Sequence, residues 1–169
     1  MPDILIINGS ARLNGDTQRF ISKLTEGIEF DQFNLIEHYF LPYNYENKYP
    51  PEDHFEFFAK EILYHKHIIF ATPVYWYSMS GRMKNLFDRL TDWVTQNKEA
   101  GRSLKDKNVK LIAVGTDGDL PDGFTAPFYM TANYMEMVYH GHQYFNTNTI
   151  YTEDELMEIR KSFFSFIQA

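Results

Sequence analysis

The chain has 169 residues, 44% of them hydrophobic and 17% aromatic, with a formal net charge of −7 at pH 7 and no cysteine. Such a length and apolar content suit one packed domain over residues 1–169 rather than a disordered chain. The acidic balance argues against nucleic-acid binding, which needs a cationic stripe, and the missing thiols exclude disulfides, thiolate nucleophiles, iron–sulfur clusters and cysteine zinc sites.

Ile4–Ile7 is an unbroken apolar run, the pattern of a strand buried on both faces. It stops at Asn8, Gly9 and Ser10, and a loop of small polar residues leads into a helix from Thr17 to Ile28, with Asp16 at the capping position. Phe30–Glu37 reads as a second, edge-like strand, and Leu41–Pro51 as a loop rich in Tyr and Pro. Pro51 should open a helix whose inner face is Phe55, Phe58, Ala59, Ile62 and Leu63. A buried strand, His67–Ala71, follows, with His65 and His67 expected to face solvent. Met79–Asn97 carries the longest helical pattern. The mixed charges of Lys98–Lys110 suit a solvated connection. Lys110–Thr116 is another buried strand, Thr125–Tyr139 a helix with Phe128, Ala132, Met135 and Val138 inward, Gly141–Tyr151 a fifth strand and Glu153–Gln168 a closing helix. No run approaches the roughly 18 apolar residues of a membrane span, and Met1-Pro2-Asp3 does not open a leader, so a cytoplasmic location is expected.

Five strands alternating with helices imply an α/β doubly wound fold, a three-layer sandwich around a parallel sheet. In such sheets ligands sit beyond the carboxyl ends of the strands. Three loops would meet there: Asn8-Gly-Ser10, Thr72-Pro-Val-Tyr75 and Gly115-Thr-Asp-Gly118. In the first, backbone amides, a helix N-terminus, the hydroxyls of Ser10 and Thr17 and the Arg12 guanidinium could together hold an anion. The plain alternative is an ordinary strand–turn–helix connection. In the second, three adjacent aromatics, Tyr75, Trp76 and Tyr77, suit a flat ring lying along the segment. At least one of the three is expected to pack into the core instead. His140 and His142 could share a strand face, but with no carboxylate pair near them in sequence no metal site is expected. Asp88 and Arg89 suit a capping or inter-helix ion pair.

Gly9-Ser-Ala-Arg-Leu-Asn-Gly-Asp-Thr17, Thr72-Pro-Val-Tyr-Trp-Tyr-Ser-Met-Ser80 and Gly81-Arg-Met-Lys-Asn-Leu-Phe-Asp-Arg89 together resemble the flavodoxin-like NAD(P)H-dependent FMN reductases and quinone reductases, in a likeness that spans the chain. The resemblance implies a flavodoxin-like five-stranded parallel sheet of order 2-1-3-4-5, non-covalent FMN and an NAD(P)H co-substrate. It places the phosphate at Ser10, Arg12, Asn14 and Thr17. It runs Pro73, Val74, Tyr75, Trp76, Tyr77 and Ser78 beside the ribityl chain and ring, and sets Gly115, Thr116, Asp117 and Gly118 at the ring's far side. It further implies hydride transfer from NAD(P)H through FMN to a flavin, quinone, azo or nitro compound, no obligatory protein acid or base, and a homodimer to which Tyr43, Tyr45 and Tyr49 could contribute. The third loop departs from the family, which often has a run of glycines where this chain has Asp117 and Asp119. A flavodoxin-type single-electron carrier is the alternative on the same fold. A P-loop kinase is disfavoured because no Gly-Lys-Ser/Thr follows the first loop.

Overall fold

The computed structural model describes residues 2–167. Five parallel strands form one sheet in the order β2-β1-β3-β4-β5, as the resemblance implies: β1 Ile4–Asn8, β2 Asp31–Asn34, β3 His67–Pro73, β4 Asn108–Gly115 and β5 Val138–Asn146. The helices are α1 Asp16–Leu24, α2 Phe55–Tyr64, α3 Gly81–Arg89, α4 Thr91–Thr95, α5 Lys98–Arg102, α6 Ala126–Tyr134 and α7 Glu153–Phe163.

Strand alternation sorts the core into two halves. Leu5 and Ile7 join Phe55, Phe58, Met83, Leu86, Trp93 and Phe128 on the face covered by α2, α3, α4 and α6. Ile4 and Ile6 join Phe20, Ile21, Phe145, Leu156 and Phe163 on the face covered by α1 and α7. A strand apolar at every position is what two covered faces require. Among the described residues no helix is long and apolar enough to cross a membrane.

Several boundaries differ from the sequence reading, each for a local reason. The Met79–Asn97 pattern breaks at Leu90, which ends α3 and begins α4. The break brings Arg89 against Asp92 (Nε to Oδ2, 2.8 Å) and Asp53 (Nη1 to Oδ2, 2.7 Å), so Arg89 is the inter-element ion pair and Asp88 pairs within α3 with Lys84. Pro51 lies in a turn ahead of α2, which starts at Phe55 after His54. β2 ends at Asn34 in a short 3-10 turn, Leu35–Glu37. α6 stops at Tyr134, and Val138, expected inward on that helix, instead opens β5 and is exposed. α7 passes into a 3-10 turn at Phe164–Ile167; Met1 and Gln168, at the ends of two sequence-read segments, lie outside the described residues.

The polar residues at the far ends of the strands are more buried than expected. His65 and His67 are buried, not solvent-facing: the His65 ring nitrogens lie 2.7 Å from the Glu61 carbonyl and 2.9 Å from Asp31, and His67 Nδ1 lies 3.2 Å from the Asn108 amide. Lys98 and Arg102 are exposed as a solvated connection should be, but Lys107 donates to the carbonyls of Leu63 and His65, and Lys110 is buried between the rings of Phe163 and Phe166. Burial lowers the pKa of both Lys107 and Lys110. Gly141 has a positive φ of 85° and is the extra residue of a bulge in β5, where Tyr139 pairs with Val109 but His142 pairs with Leu111. A bulge resets the alternation. His140 therefore meets Asn108 (2.7 Å) and the Phe166 ring, and does not share a face with His142. No group of three metal-ligating side chains occurs among the described residues.

Candidate functional site

The carboxyl ends of β1, β3, β4 and β5 surround a cavity of about 220 Å3. It is lined by Ser10, Arg12 and Thr17 from the first loop, Pro73, Val74 and Tyr75 from the second, and Gly115 and Thr116 from the third. Asn14, Trp76, Tyr77, Ser78, Asp117 and Gly118 do not line it, while Asp16, Val114 and Thr147 do. Thr147 was missed because the fifth strand read as running to Tyr151; it ends at Asn146, and the Thr147 amide donates to the Gly115 carbonyl at 2.8 Å.

The first loop is built by its own side chains. Asn8, buried at the end of β1, accepts from the Ser10 amide (3.0 Å) and donates to Gln18 and Asn34 (3.2 Å each). Ser10 Oγ accepts from the Arg12 amide at 3.2 Å. Gly9 lies so close to Ser80 and Met83 that a Cβ there would meet both at 3.0 Å, so only glycine fits without displacement. Ser80, which the sequence reading left without a role, ties the first two loops together. Its hydroxyl donates to the Gly9 carbonyl (2.7 Å) and accepts from the Met83 amide (3.2 Å), and its own amide donates to Thr72 Oγ1 (3.0 Å).

Two helices thus begin at this edge in different states. Ser80 caps α3. The residue before α1 is Gly15, with no side chain to cap it; Asp16, expected as the cap, is the first helical residue and pairs with Arg19 at 3.0 Å. The amides of Gly15, Asp16 and Thr17 have no acceptor among the described residues. Orphan amides together with the positive end of the helix dipole make an anion-binding terminus. The Arg12 guanidinium has no ion pair among the described residues, and its Nε lies within 3.5 Å of where a Gly15 Cβ would stand.

The third loop turns its carbonyls away from the cavity. Tyr144 Oη and Asn146 Nδ2 both donate to the Asp117 carbonyl at 2.8 Å, and Asn148 Nδ2 donates to that of Thr116 at 3.1 Å. A trans peptide points its N–H opposite to its C=O. With the carbonyls of Gly115, Thr116 and Asp117 all drawn toward β5, the amides of Thr116, Asp117 and Gly118 face the other way, and none has an acceptor among the described residues. The loop offers backbone donors despite its two carboxylates. Burial, then the nearby Asp117 charge, raises the Tyr144 pKa, so its hydroxyl remains a donor.

The second loop contradicts one expectation: none of its three aromatics enters the core. Tyr75 is 46%, Trp76 93% and Tyr77 70% exposed. The amides of Tyr75 and Ser78 each donate to the other's carbonyl, at 2.9 and 3.0 Å, closing a two-residue turn. Trp76 and Tyr77 sit at φ 47° and 65°, the arrangement of a type I′ turn, which favours Asn-Gly. For bulky residues that conformation costs of order 1–3 kcal/mol each.

A family model for NADPH-dependent FMN reductase matches residues 2–151 of the chain. YwqN of Bacillus subtilis (strain 168), whose name gives an NAD(P)H-dependent FMN-containing oxidoreductase, is 28% identical over 121 residues, 68% of this chain and 67% of that one. Among solved structures, the Trp repressor binding protein from Bacillus subtilis superposes with a TM-score of 0.73 at 23% identity, over 94% of this chain and 97% of that one. The general stress protein 14 from Treponema denticola, in complex with FMN, gives a TM-score of 0.65 at 20% identity, over 99% and 97%. A match across most of the chain, on a sheet of the order found here, shows that this protein belongs to the NADPH-dependent FMN reductase family, with FMN as its cofactor and NAD(P)H as its reductant.

Proposed function

We propose that the chain, as one FMN-binding domain, carries hydride from NAD(P)H through FMN held at this edge to a small acceptor such as a flavin, quinone, azo or nitro compound. The observation that carries the reading is the uncapped start of α1 beside Arg12, which has no ion pair among the described residues, in a cavity walled by the loops of β3 and β4. The cavity is smaller than the roughly 300–1,000 Å3 of pockets that enclose a drug-sized ligand. It suits the phosphate and ribityl arm, with the ring at its mouth. Ser10, Arg12, Asn14, Thr17 and the α1 amides hold the phosphate. Pro73, Val74, Tyr75, Trp76, Tyr77 and Ser78 flank the rest, and Gly115, Thr116, Asp117 and Gly118 supply backbone donors. FMN, when bound, supplies the two-electron chemistry, and the protein binds, orients and shields it.

Arg12→Ala tests the placement. A hydrogen bond to a charged group contributes about 1.5–3 kcal/mol, and Arg12 is exposed, so the low end is expected, a loss of about tenfold in FMN affinity measured by flavin-fluorescence titration. An unchanged affinity would remove Arg12 from the phosphate site.

The same reading includes a homodimer. Tyr45 is 91% exposed and packs only against Tyr43 among the aromatic pairs of the described residues, while Tyr49 is committed internally, its ring 3.5 Å from the Arg89 guanidinium carbon. Light scattering at micromolar concentration should give twice the chain mass; a monomeric mass would exclude the dimer.

A further inference from the structure

We propose that Gln18, Gln32 and Asn34 are positioning residues for the flavin phosphate: they lock the Asn8 side chain in the orientation that shapes the anion loop. The proposal rests on the FMN-binding reading above and deepens it. Phe33 of β2 packs against Phe58 of α2, with ring centroids 5.4 Å apart. Its neighbours Gln32 and Asn34 therefore point to the opposite face of the sheet, where β1 presents Ile4 and Ile6 beneath α1. Among the described residues the apolar core of that face takes none from β2. Two amides stand where a covered sheet face calls for aliphatic side chains.

Their hydrogen bonds account for them. Asn8 Nδ2 donates to Gln18 Oε1 and Asn34 Oδ1, at 3.2 Å each, and Gln32 Nε2 donates to the same two oxygens, at 2.7 and 2.6 Å. Two amide nitrogens thus face two amide oxygens in a closed ring built from β1, β2 and α1, and each nitrogen donates both of its protons. The ring is braced from outside: Asn34 Nδ2 donates to Glu37 at 2.8 Å, and Gln18 Nε2 to Gln32 Oε1 at 3.3 Å. With Nδ2 held by two acceptors, Asn8 Oδ1 faces the other way and accepts from the Ser10 amide at 3.0 Å. A flipped Asn8 would set N–H against the Ser10 N–H, and oxygen against two oxygens. Ser10 in turn holds the Arg12 amide. The orientation fixed at β2 therefore passes through Asn8 to Ser10 and Arg12, which line the cavity, whereas Gln18, Gln32 and Asn34 do not. A fully satisfied polar network fixes one arrangement, and a loop preset in its binding shape loses no affinity to other shapes.

The test is the ratio of FMN to riboflavin affinity, from fluorescence titration of the flavin-free protein, because riboflavin has the same ring and ribityl arm without the phosphate. General destabilisation weakens both ligands alike, whereas a misshapen anion loop weakens FMN selectively. Asn34→Leu and Gln18→Met each remove one acceptor at nearly constant volume and should each cut the ratio by about fivefold, the equivalent of one hydrogen bond. Gln32→Met reaches Asn8 only through the two shared oxygens and should cut it by about twofold, the low end of that range. An unchanged ratio in any of the three, or equal losses for FMN and riboflavin, would overturn the proposal. The ring itself is read in the wild type without flavin. In 15N spectra the side-chain amide protons of Asn8 and Gln32 should exchange with water on the order of tenfold more slowly than those of the exposed Asn133. Equal exchange rates would overturn the ring even where a variant fails to fold. If the wild type binds neither flavin, the FMN reading itself fails; slow exchange would then leave the ring as a device of the fold and remove its phosphate role.

Discussion

Arg12 and Asp16 set the charge at the anion end of the cavity, and they oppose each other. Asp16 lines the cavity with its carboxylate shared with Arg19, while Arg12 has no such partner among the described residues. A phosphate placed there gains from Arg12 and is repelled by Asp16. Asp16→Asn should therefore tighten FMN binding by up to about fivefold, the scale of one partly exposed charge pair; weaker binding of the amide variant would mean that the carboxylate supports the loop. Ser10→Ala should cost about 1 kcal/mol of FMN affinity, less than Arg12→Ala, because Ser10 contributes a neutral hydroxyl and also holds the Arg12 amide. A larger loss at Ser10 would show that loop shape, rather than charge, dominates. These residues were legible in the sequence because hydroxyl, guanidinium and glycine are the groups an anion loop needs. Thr147 and Ser80 were not. Thr147 depends on where β5 ends, and Ser80 acts through the Gly9 carbonyl 71 positions away.

At the level of elements, the site is where the starts of α1 and α3 meet the carboxyl ends of β1, β3, β4 and β5. Ser80→Ala removes the α3 cap and strips the Gly9 carbonyl of its donor, so it should destabilise the protein by about 1–2 kcal/mol, read as a lower urea midpoint. A midpoint equal to wild type would mean the two loops hold together without it. Asn146→Ala frees one of two donors to the Asp117 carbonyl and should weaken FMN by about 1 kcal/mol through the third loop's amides. A loss of fold stability with FMN affinity unchanged would separate that loop from the cofactor. Element identity was readable from periodicity: apolar runs marked β1, β3 and β4, and one-sided faces marked α1, α2 and α7. Element ends were less so. The apolar repeat of Met79–Asn97 continues through the break at Leu90, and the bulge at Gly141 undoes the alternation on which the His140 and His142 pairing was read.

Over the whole molecule, the parallel doubly wound sheet followed from the alternation of strands and helices and its strand order from the family resemblance, whereas the ionic and histidine contacts between distant segments followed from neither. Arg89 clamps the Leu41–His54 segment to α3 and α4 through Asp53, Asp92 and the Leu41 carbonyl. Burial pushes the Asp53 carboxyl up, but hydrogen bonds from Arg89 and the Leu41 and Phe55 amides outweigh it and hold its pKa below the ordinary value. Burial holds His38, His67 and His140 below the ordinary 6.5, with Lys66 adding to the effect at His67 and Lys110 at His140. The unfolded chain takes up protons at these sites before the folded one does, so their contribution is complete above about pH 6.5 and is lost as the pH falls below it. The thermal midpoint should decline between about pH 7 and about pH 5, and less steeply in a His67→Asn, His140→Asn double variant. A flat wild-type profile would contradict the burial of these rings. The central claim is that this edge of the sheet holds FMN and that NAD(P)H reduces it. The most direct test is the visible absorption spectrum of the purified, FMN-loaded protein before and after anaerobic addition of NADPH. A flavin spectrum that bleaches is expected. A flavin spectrum left unbleached by both NADPH and NADH, or a protein that takes up no FMN, would contradict it.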